Sequence, residues 1–431
     1  MEPSQFTLQN GLRIILVDTK VFPSMTAILL FGAGSRYEEK KNNGIAHFFE
    51  HMPFKGSKKY PSFFKISSLL EGLGAYHNAF TSKDHTGYWV KSPVSHFEKV
   101  IDVIADITLH PLLDEKEIER EKHVIVEEIN MYEDTPMRRV GEYLEQLLYQ
   151  GNPLGFDTIG TKENILSFNR SVFTDYMKRF YHPDNAILVV AGGLSQNKAQ
   201  NSKNRQYLEI IETKFTSWKG KTEATFSKLE EHQTYPQMRI MTKKTEQTHF
   251  CLGFAAFSFF DKRKNALSVL SAVLGGGSSS RLFIEVRERR GLCYYISTGR
   301  ELYHDVGYVV TQAGVSNDKA KIHEAISVIL SEQDKIAKGD LSKEELRRAK
   351  EILKGRFLLS LEDSSNVASF FGTKLLLERH LKTPKEIVDG IEAVTEGEVV
   401  SLAKELLDRK KMNLALVGPF KDSDFSDILK S

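Results

Sequence analysis

The chain has 431 residues, 41% of them hydrophobic, 27% charged and 10% aromatic, the balance of a soluble globular protein with enough chain for two domains. Its net charge of +2 gives no reason to expect nucleic acid or a membrane as partner. Two cysteines, Cys251 and Cys293, make no disulfide framework, no apolar run reaches membrane-span length, and the first residues lack a secretory pattern, so a cytoplasmic protein is expected.

Taken in chain order, an Asn10-Gly11 turn precedes a strand predicted over 13–17, and residues 25–32 read as a second, largely buried strand. The densest chemical signal follows at His47-Phe48-Phe49-Glu50-His51, in a stretch that reads as a helix. His47 and His51, at i and i+4, project from one helix face about one turn apart. Glu50 falls on the same side, so the three side chains span roughly 100° of arc. Ile45, Phe48, Phe49 and Met52 provide apolar flanks. Two imidazoles so placed can hold a metal ion, with a carboxylate beside a water on that metal. The order H-x-x-E-H is the inverted zinc-protease pattern.

Tyr76, His77, Asn78, Ala79, Phe80, Thr81 and Ser82 form a strand-like segment, and a second strand begins near Asp84. A helix to about Leu109 and a charged helix from about Asp114 to Asp134 come next. Catalytic zinc takes three protein ligands and keeps one position open, so a third ligand is sought in this half. Glu121 and Glu128 lie two turns apart on nearly one face of the charged helix, at the margin of the stripe Ile118, Ile125, Ile129. On pattern alone Glu121 and Glu128 can both point to solvent, and spacing does not choose between Glu127 and Glu128. A strand is expected over 185–191, a polar insertion at 195–205 and a link between halves at 218–237.

The second half repeats the first with a period near two hundred residues, the mark of duplicated domains. Asp305, Gly307 and Tyr308 answer Asp84, Gly87 and Tyr88, then come a helix to about Ile336, a charged helix from Ser342 to Asp363, and a strand at 413–417. The expected fold is α+β: two homologous domains, 1–225 and 235–431, each an antiparallel sheet covered by helices. No second H-x-x-E-H occurs, and the place of Glu128 falls near Gly355-Arg356. The run Gly275-Gly276-Gly277 lacks the Gly-Lys-Ser/Thr ending of a phosphate loop.

Residues 43–134 resemble the zinc-binding region of the pitrilysin/insulinase superfamily, in its short branch with the mitochondrial processing peptidase, and the similarity extends along nearly the whole chain. In Val126-Glu127-Glu128-Ile129 the second glutamate matches the family's ligand. The resemblance implies Zn2+ held by His47, His51 and Glu128, Glu50 as general base on a zinc-activated water, and Glu121 orienting the ligands. It also implies that Asn78, Ala79, Phe80 and Thr81 form a strand edge on which an extended peptide pairs. Arg287 and Tyr294, seven residues apart, match the pair that contacts substrate near the scissile bond, with Arg290 and Tyr295 as close neighbours. His77 and His85 are not needed by a three-ligand site. The implied function is a zinc endopeptidase acting on unfolded peptides in an enclosed chamber, as a homodimer or as a heterodimer with a related subunit. The competing readings are a silent scaffold subunit and a zinc-binding protein without hydrolysis, which leaves Glu50 without a role.

Overall fold

The computed structural model describes residues 2–195, 200–223, 225–230 and 233–430. Residues 196–199 of the expected insertion, and 224, 231 and 232 of the expected link, lie outside the described residues. The chain divides into two compact units, one of Met1–Ile129, Phe156–Ser227 and Leu359–Pro384, the other of Asn130–Gly155, Lys228–Leu358 and Lys385–Ser431.

The first unit holds β1 (Ser4–Thr7), β2 (Arg13–Asp18), β3 (Ser24–Phe31), β4 (Tyr76–Thr81), β5 (Thr86–Pro93) and β6 (Ala186–Gly192) in the order β1-β2-β6-β3-β5-β4. β6 is buried throughout and β3 from Met25 onward, so both faces of the sheet centre must be covered. Alternation along β3 turns Thr26 and Leu30 to one face and Phe31 to the other. Thr26 Oγ1 lies 2.8 Å from Ser364 Oγ at the start of the helix Ser364–Thr373. A Cβ on Gly372 of that helix would come within 2.5 Å of Leu30, so glycine is what allows this close approach. On the other face Phe31 stacks on Tyr181 at 4.0 Å, and Tyr181 meets Phe49 at 4.6 Å. Phe49 belongs to α1 (Ile45–His51), which is thereby seated on the sheet. Further helices of this unit are α2 (Phe63–Gly72), α3 (Phe97–Leu109) and most of α4 (Glu115–Glu133).

The second unit holds β7 (Gln237–Thr242), β8 (Gln247–Phe257), β9 (Cys293–Leu302), β10 (Val306–Ser316) and β11 (Asn413–Gly418) in the order β7-β11-β8-β10-β9. α5 (Pro136–Leu148) packs Val140, Tyr143 and Leu144 against Cys251, Ala415 and Val417 of its sheet. The larger core joins β8 and β10 to the helices Lys264–Gly275, Lys319–Ala337 and Glu396–Leu406.

Matching strands in chain order, β2-β6-β3-β5-β4 and β7-β11-β8-β10-β9 are one pattern, which makes the duplication explicit; β1 is an addition to the first sheet. Two features differ from the sequence expectation. Each sheet contains one parallel pair, β2 with β6 and β7 with β11, because the closing strand returns after a long helical crossover. The units are also not the contiguous stretches 1–225 and 235–431. Residues 130–155 belong with the second sheet and 359–384 with the first, because sheets apolar on both faces recruit a cover from the other half of the chain. Among the described residues no helix is long and apolar enough to cross a membrane.

Candidate metal centre

α1 begins at Gly44, whose φ of 100° is open to glycine at little cost and whose missing side chain matters as well. A Cβ there would stand 2.8 Å from Gly160 Cα and the Ile159 carbonyl. The first turn is held by Glu38, a buried residue. Its Oε1 accepts from the Ala46 N–H at 2.7 Å, and its Oε2 accepts from the Gly44 N–H at 2.8 Å and from Asn43 Nδ2 at 2.9 Å. Burial pushes the Glu38 pKa up to about 7 even with these donors pulling it down. Ile45, Ala46, Phe48 and Phe49 are buried, which leaves His47, Glu50 and His51 on the outer face.

α4 packs by Ile118, Ile125 and Ile129, with Glu121 buried beside them. One turn from Ile125 the helix presents Glu128 to the two histidines. Glu128 Oε1 is 3.6 Å from His47 Nε2, and Oε2 is 3.8 Å from His51 Nε2. The ring centroids of His47 and His51 are 4.8 Å apart, and one ligand atom from each of His47, His51 and Glu128 lies within 4.8 Å of the others. Glu127 is exposed on the neighbouring face of α4. His77 and His85 take no part in this group: His77 lies 5.5 Å from the Phe54 ring, and His85 Nδ1 pairs with Ser82 Oγ at 2.9 Å.

Glu121 Oε1 is 2.9 Å from His51 Nδ1 and its Oε2 is 2.5 Å from Lys55 Nζ. Burial alone would raise the Glu121 pKa, but the His51 and Lys55 hydrogen bonds and charges bring it below the usual range. An ionised Glu121 can only accept, so His51 donates from Nδ1 and its Nε2 lone pair faces Glu128. Burial would lower the His51 pKa, yet the Glu121 hydrogen bond and the charges of Glu50, Glu121 and Glu128 outweigh it and raise it. Two imidazoles and a carboxylate are a ligand set that catalytic zinc takes. Glu50 Oε2 and His47 Nδ1 are buried with no hydrogen-bond partner among the described residues, so the fold does not consume the Glu50 oxygen. The residues fit a metal ion with a free carboxylate at its side.

β4 is the outer strand of its sheet, bonded to β5 alone. It runs along α1: Thr81 Oγ1 is 3.4 Å from the carbonyl of Ala46, which precedes the first histidine. Asn78 is exposed, and its Oδ1 accepts from the Ala79 N–H at 2.9 Å. Ala79, Phe80 and Thr81 are half-buried.

His47, Glu50, His51, Glu121, Glu128 and the edge strand thus come together in the first unit, whereas Arg287 and Tyr294 belong to the second. Arg287 lies on the π-helical turn Phe283–Glu288, its guanidinium 4.5 Å from the Phe283 ring centroid and 3.4 Å from Glu288 Oε1. Tyr294, on the edge strand β9, is 75% exposed. The neighbouring pair is differently engaged. Tyr295 OH lies 2.9 Å from His249 Nδ1 and accepts from Gln312 Nε2 at 3.3 Å, while Arg290 donates to Glu285 at 2.8 Å. Of the two tyrosines, Tyr294 is the one whose phenol is uncommitted among the described residues.

The sequence reading omitted Lys55 and Glu38. Lys55 stands four residues after His51, a helical interval that carried a findable signal. Glu38 lies outside α1 and offers no periodic cue.

The fold and site define a two-sheet α+β protein with an inverted H-x-x-E-H motif, part of a candidate metal centre, in one of two units of matching strand order. Residues 13–162 match the family profile "Insulinase (Peptidase family M16)" and residues 167–353 match "Peptidase M16 inactive domain". The uncharacterized zinc protease YmxG of Bacillus subtilis is 36% identical over 417 residues, covering 96% of this chain and 98% of that protein. An uncharacterized zinc protease of Streptomyces coelicolor is 31% identical, covering 97% of this chain and 90% of its own. In the crystal structure of a protease from Helicobacter pylori, a chain 25% identical superposes with a TM-score of 0.89, over 97% of this chain and 100% of that one. The chain belongs to the insulinase (M16) family, as a short two-domain member of the pitrilysin/insulinase superfamily.

Proposed function

We propose that the protein is a zinc-dependent endopeptidase acting on unfolded peptides and small polypeptides. The observation that carries this reading is the convergence of His47, His51 and Glu128 beside a Glu50 oxygen with no structural partner. When bound, zinc supplies a Lewis acid that polarises the scissile carbonyl and makes a water acidic near neutral pH. His47, His51 and Glu128 hold the ion, and Glu121 keeps the His51 ring in one orientation. Glu50 accepts the proton of the attacking water and returns it to the leaving nitrogen as the C–N bond breaks. The open edge of β4 takes the substrate as an added strand, reading main chain more than side chains. Arg287 forks onto a substrate carbonyl, and the Tyr294 phenol donates to the developing oxyanion. A thiol route is disfavoured: burial raises the Cys251 pKa far above its ordinary value and pushes Cys293 up to about 11.

The same reading extends to assembly. Short members of this family resemble half of a longer enclosing clamshell, and this chain carries both the metal set and the arginine–tyrosine pair. A homodimer is the assembly we propose. The test of activity is cleavage of a mixed peptide library by the wild type, by wild type with chelator and by Glu50→Gln. Chelation abolishes cleavage and Glu50→Gln lowers it by about 10²- to 10⁴-fold. Cleavage that survives unchanged in Glu50→Gln would sink the mechanism.

A further inference from the structure

α1 does not end its contribution at His51. The chain continues into the 3-10 turn Met52–Lys55, which places Lys55 four residues beyond the second histidine. Its Nζ lies 2.5 Å from one oxygen of Glu121, whose other oxygen lies 2.9 Å from His51 Nδ1. The Glu121 side chain is only 5% exposed, and that of Lys55 is 23% exposed. The ammonium also sits 5.5 Å from the Phe63 ring centroid, so an aromatic neighbour limits where it can go. The three groups form a line from Lys55 through Glu121 to His51, reaching the metal ligands from behind.

Charge explains why a cation belongs at the end of that line. Glu50, Glu121 and Glu128 are three carboxylates around two imidazoles, and all three act on His51. A divalent ion leaves such a cluster one negative charge in excess, and Lys55 supplies the charge that closes the balance. Without it, Oε2 of a nearly buried Glu121 loses the donor 2.5 Å away, and the carboxylate either turns toward another donor or swings out to water. In either case His51 Nδ1 loses its fixed acceptor, and the ring loses the orientation that aims Nε2 at the ion.

We propose that Lys55 is a positioning residue of the metal centre, holding Glu121 as the acceptor of the His51 Nδ1–H and balancing the charge of the filled site. The proposal rests on the zinc reading above and reaches a residue which that reading does not use. A lysine that only tied α1 to α4 would matter for folding and leave metal affinity alone. The discriminating measurement is therefore zinc affinity of the full chain by competition with a chromophoric chelator, alongside thermal unfolding of the metal-free protein.

Lys55→Met lowers zinc affinity about 10-fold, the low end of the 10- to 100-fold effect usual for a group bonded directly to a ligand, because Lys55 acts through Glu121. Lys55→Arg, which keeps the charge, stays within a few-fold of wild type. Glu121→Gln loses affinity as well, and the double variant Lys55→Met/Glu121→Gln loses much less than the product of the two single losses, because both remove one unit. Should Lys55→Met not fold, Lys55→Gln keeps a hydrogen bond without the charge and carries the same expectation. Zinc affinity within twofold of wild type in Lys55→Met or Lys55→Gln overturns the proposal, and so do single losses that simply multiply. If the wild type itself takes up no zinc, the zinc reading falls and Lys55 falls with it. Loss of zinc affinity in the variants beside a wild type that binds zinc yet cleaves no peptide would leave Lys55 in place and reject only the peptidase reading.

Discussion

Glu127 and Glu128 are neighbours in sequence, and a helix turns consecutive side chains about 100° apart. That rotation leaves Glu127 in solvent and brings Glu128 to 3.6 and 3.8 Å from the two imidazoles. The choice between them depends on which way α4 is rolled, and the roll is set by Ile118, Ile125 and Ile129 against their neighbours. The periodic stripe was legible in the sequence, but its partners were not. The same holds for Tyr294 and Tyr295, where the hydrogen bonds to His249 and Gln312 come from strands 46 and 17 positions away. His85 yields a prediction at this scale. Its ring meets Phe80 edge to face and burial lowers its pKa to about 4. An unfolded chain therefore takes up the His85 proton as pH falls below about 6.5 while the folded chain resists until about 4, so stability is lost on acidification across that window. Because the residue keeps some contact with solvent, the loss is at most about 3 kcal/mol. Urea unfolding at pH 7, 5.5 and 4 checks this: His85→Gln should lose less stability than wild type across the series. Parallel pH dependence in the two chains would show that His85 is not the group responsible.

At the scale of elements, α1 and the edge strand were legible for different reasons. The helix announces itself by local period, two histidines and their apolar flanks repeating within two turns. β4 announces itself only as a strand, and its place at the edge is a matter of topology. Topology also decides which of its groups are open. The Ser82 N–H bonds to the His85 carbonyl at the hairpin end, and antiparallel pairing alternates from there. The register pairs Phe80 with Gly87 and Asn78 with Trp89, so the ladder bonds fall on those pairs and the N–H and C=O of His77, Ala79 and Thr81 turn outward. The bond from the Ala79 N–H to Asn78 Oδ1 agrees with this alternation. An added peptide strand would use these outward groups. Ala79→Pro removes one of the donors at an edge position where proline is tolerated. Losing one backbone bond to substrate, about 1 kcal/mol, should raise KM several-fold with zinc affinity unchanged. An unaltered KM would mean that substrate does not pair along β4. What no local pattern could show is the exchange of covers, α5 onto the second sheet and the helix Ser364–Thr373 onto the first. Both helices are ordinary amphipathic segments whose destination is fixed by long-range packing.

At the scale of the molecule, one topology has been used twice and loaded differently. β4 and β9 occupy equivalent outer positions in their sheets. Beside β4 stands α1 with the candidate metal ligands His47 and His51; beside β9 stands the turn that carries Arg287, and Tyr294 is on the strand itself. A chain carrying both sets can complete a site alone or share it with a second copy, and mixing separates the cases. Glu50→Gln removes the proposed base, and Arg287→Ala removes the proposed substrate contact; in the dimer proposed above, each variant alone should be nearly inactive. If the two sets act across a twofold interface, a mixed dimer pairs the intact Glu50 of one chain with the intact Arg287 of the other in one of its two sites. Random re-association of equal amounts makes half of the dimers mixed, so activity should return to about a quarter of wild type. If each site is completed within one chain, no dimer in the mixture contains an intact site and activity stays at the background of the two variants. Co-expression with two affinity tags, followed by purification on both, isolates the mixed dimer and should double the recovered fraction to about a half. Recovery that fails to rise on this enrichment would point to contaminating wild type, and no recovery at all would place the metal set and the arginine–tyrosine pair in a single-chain site.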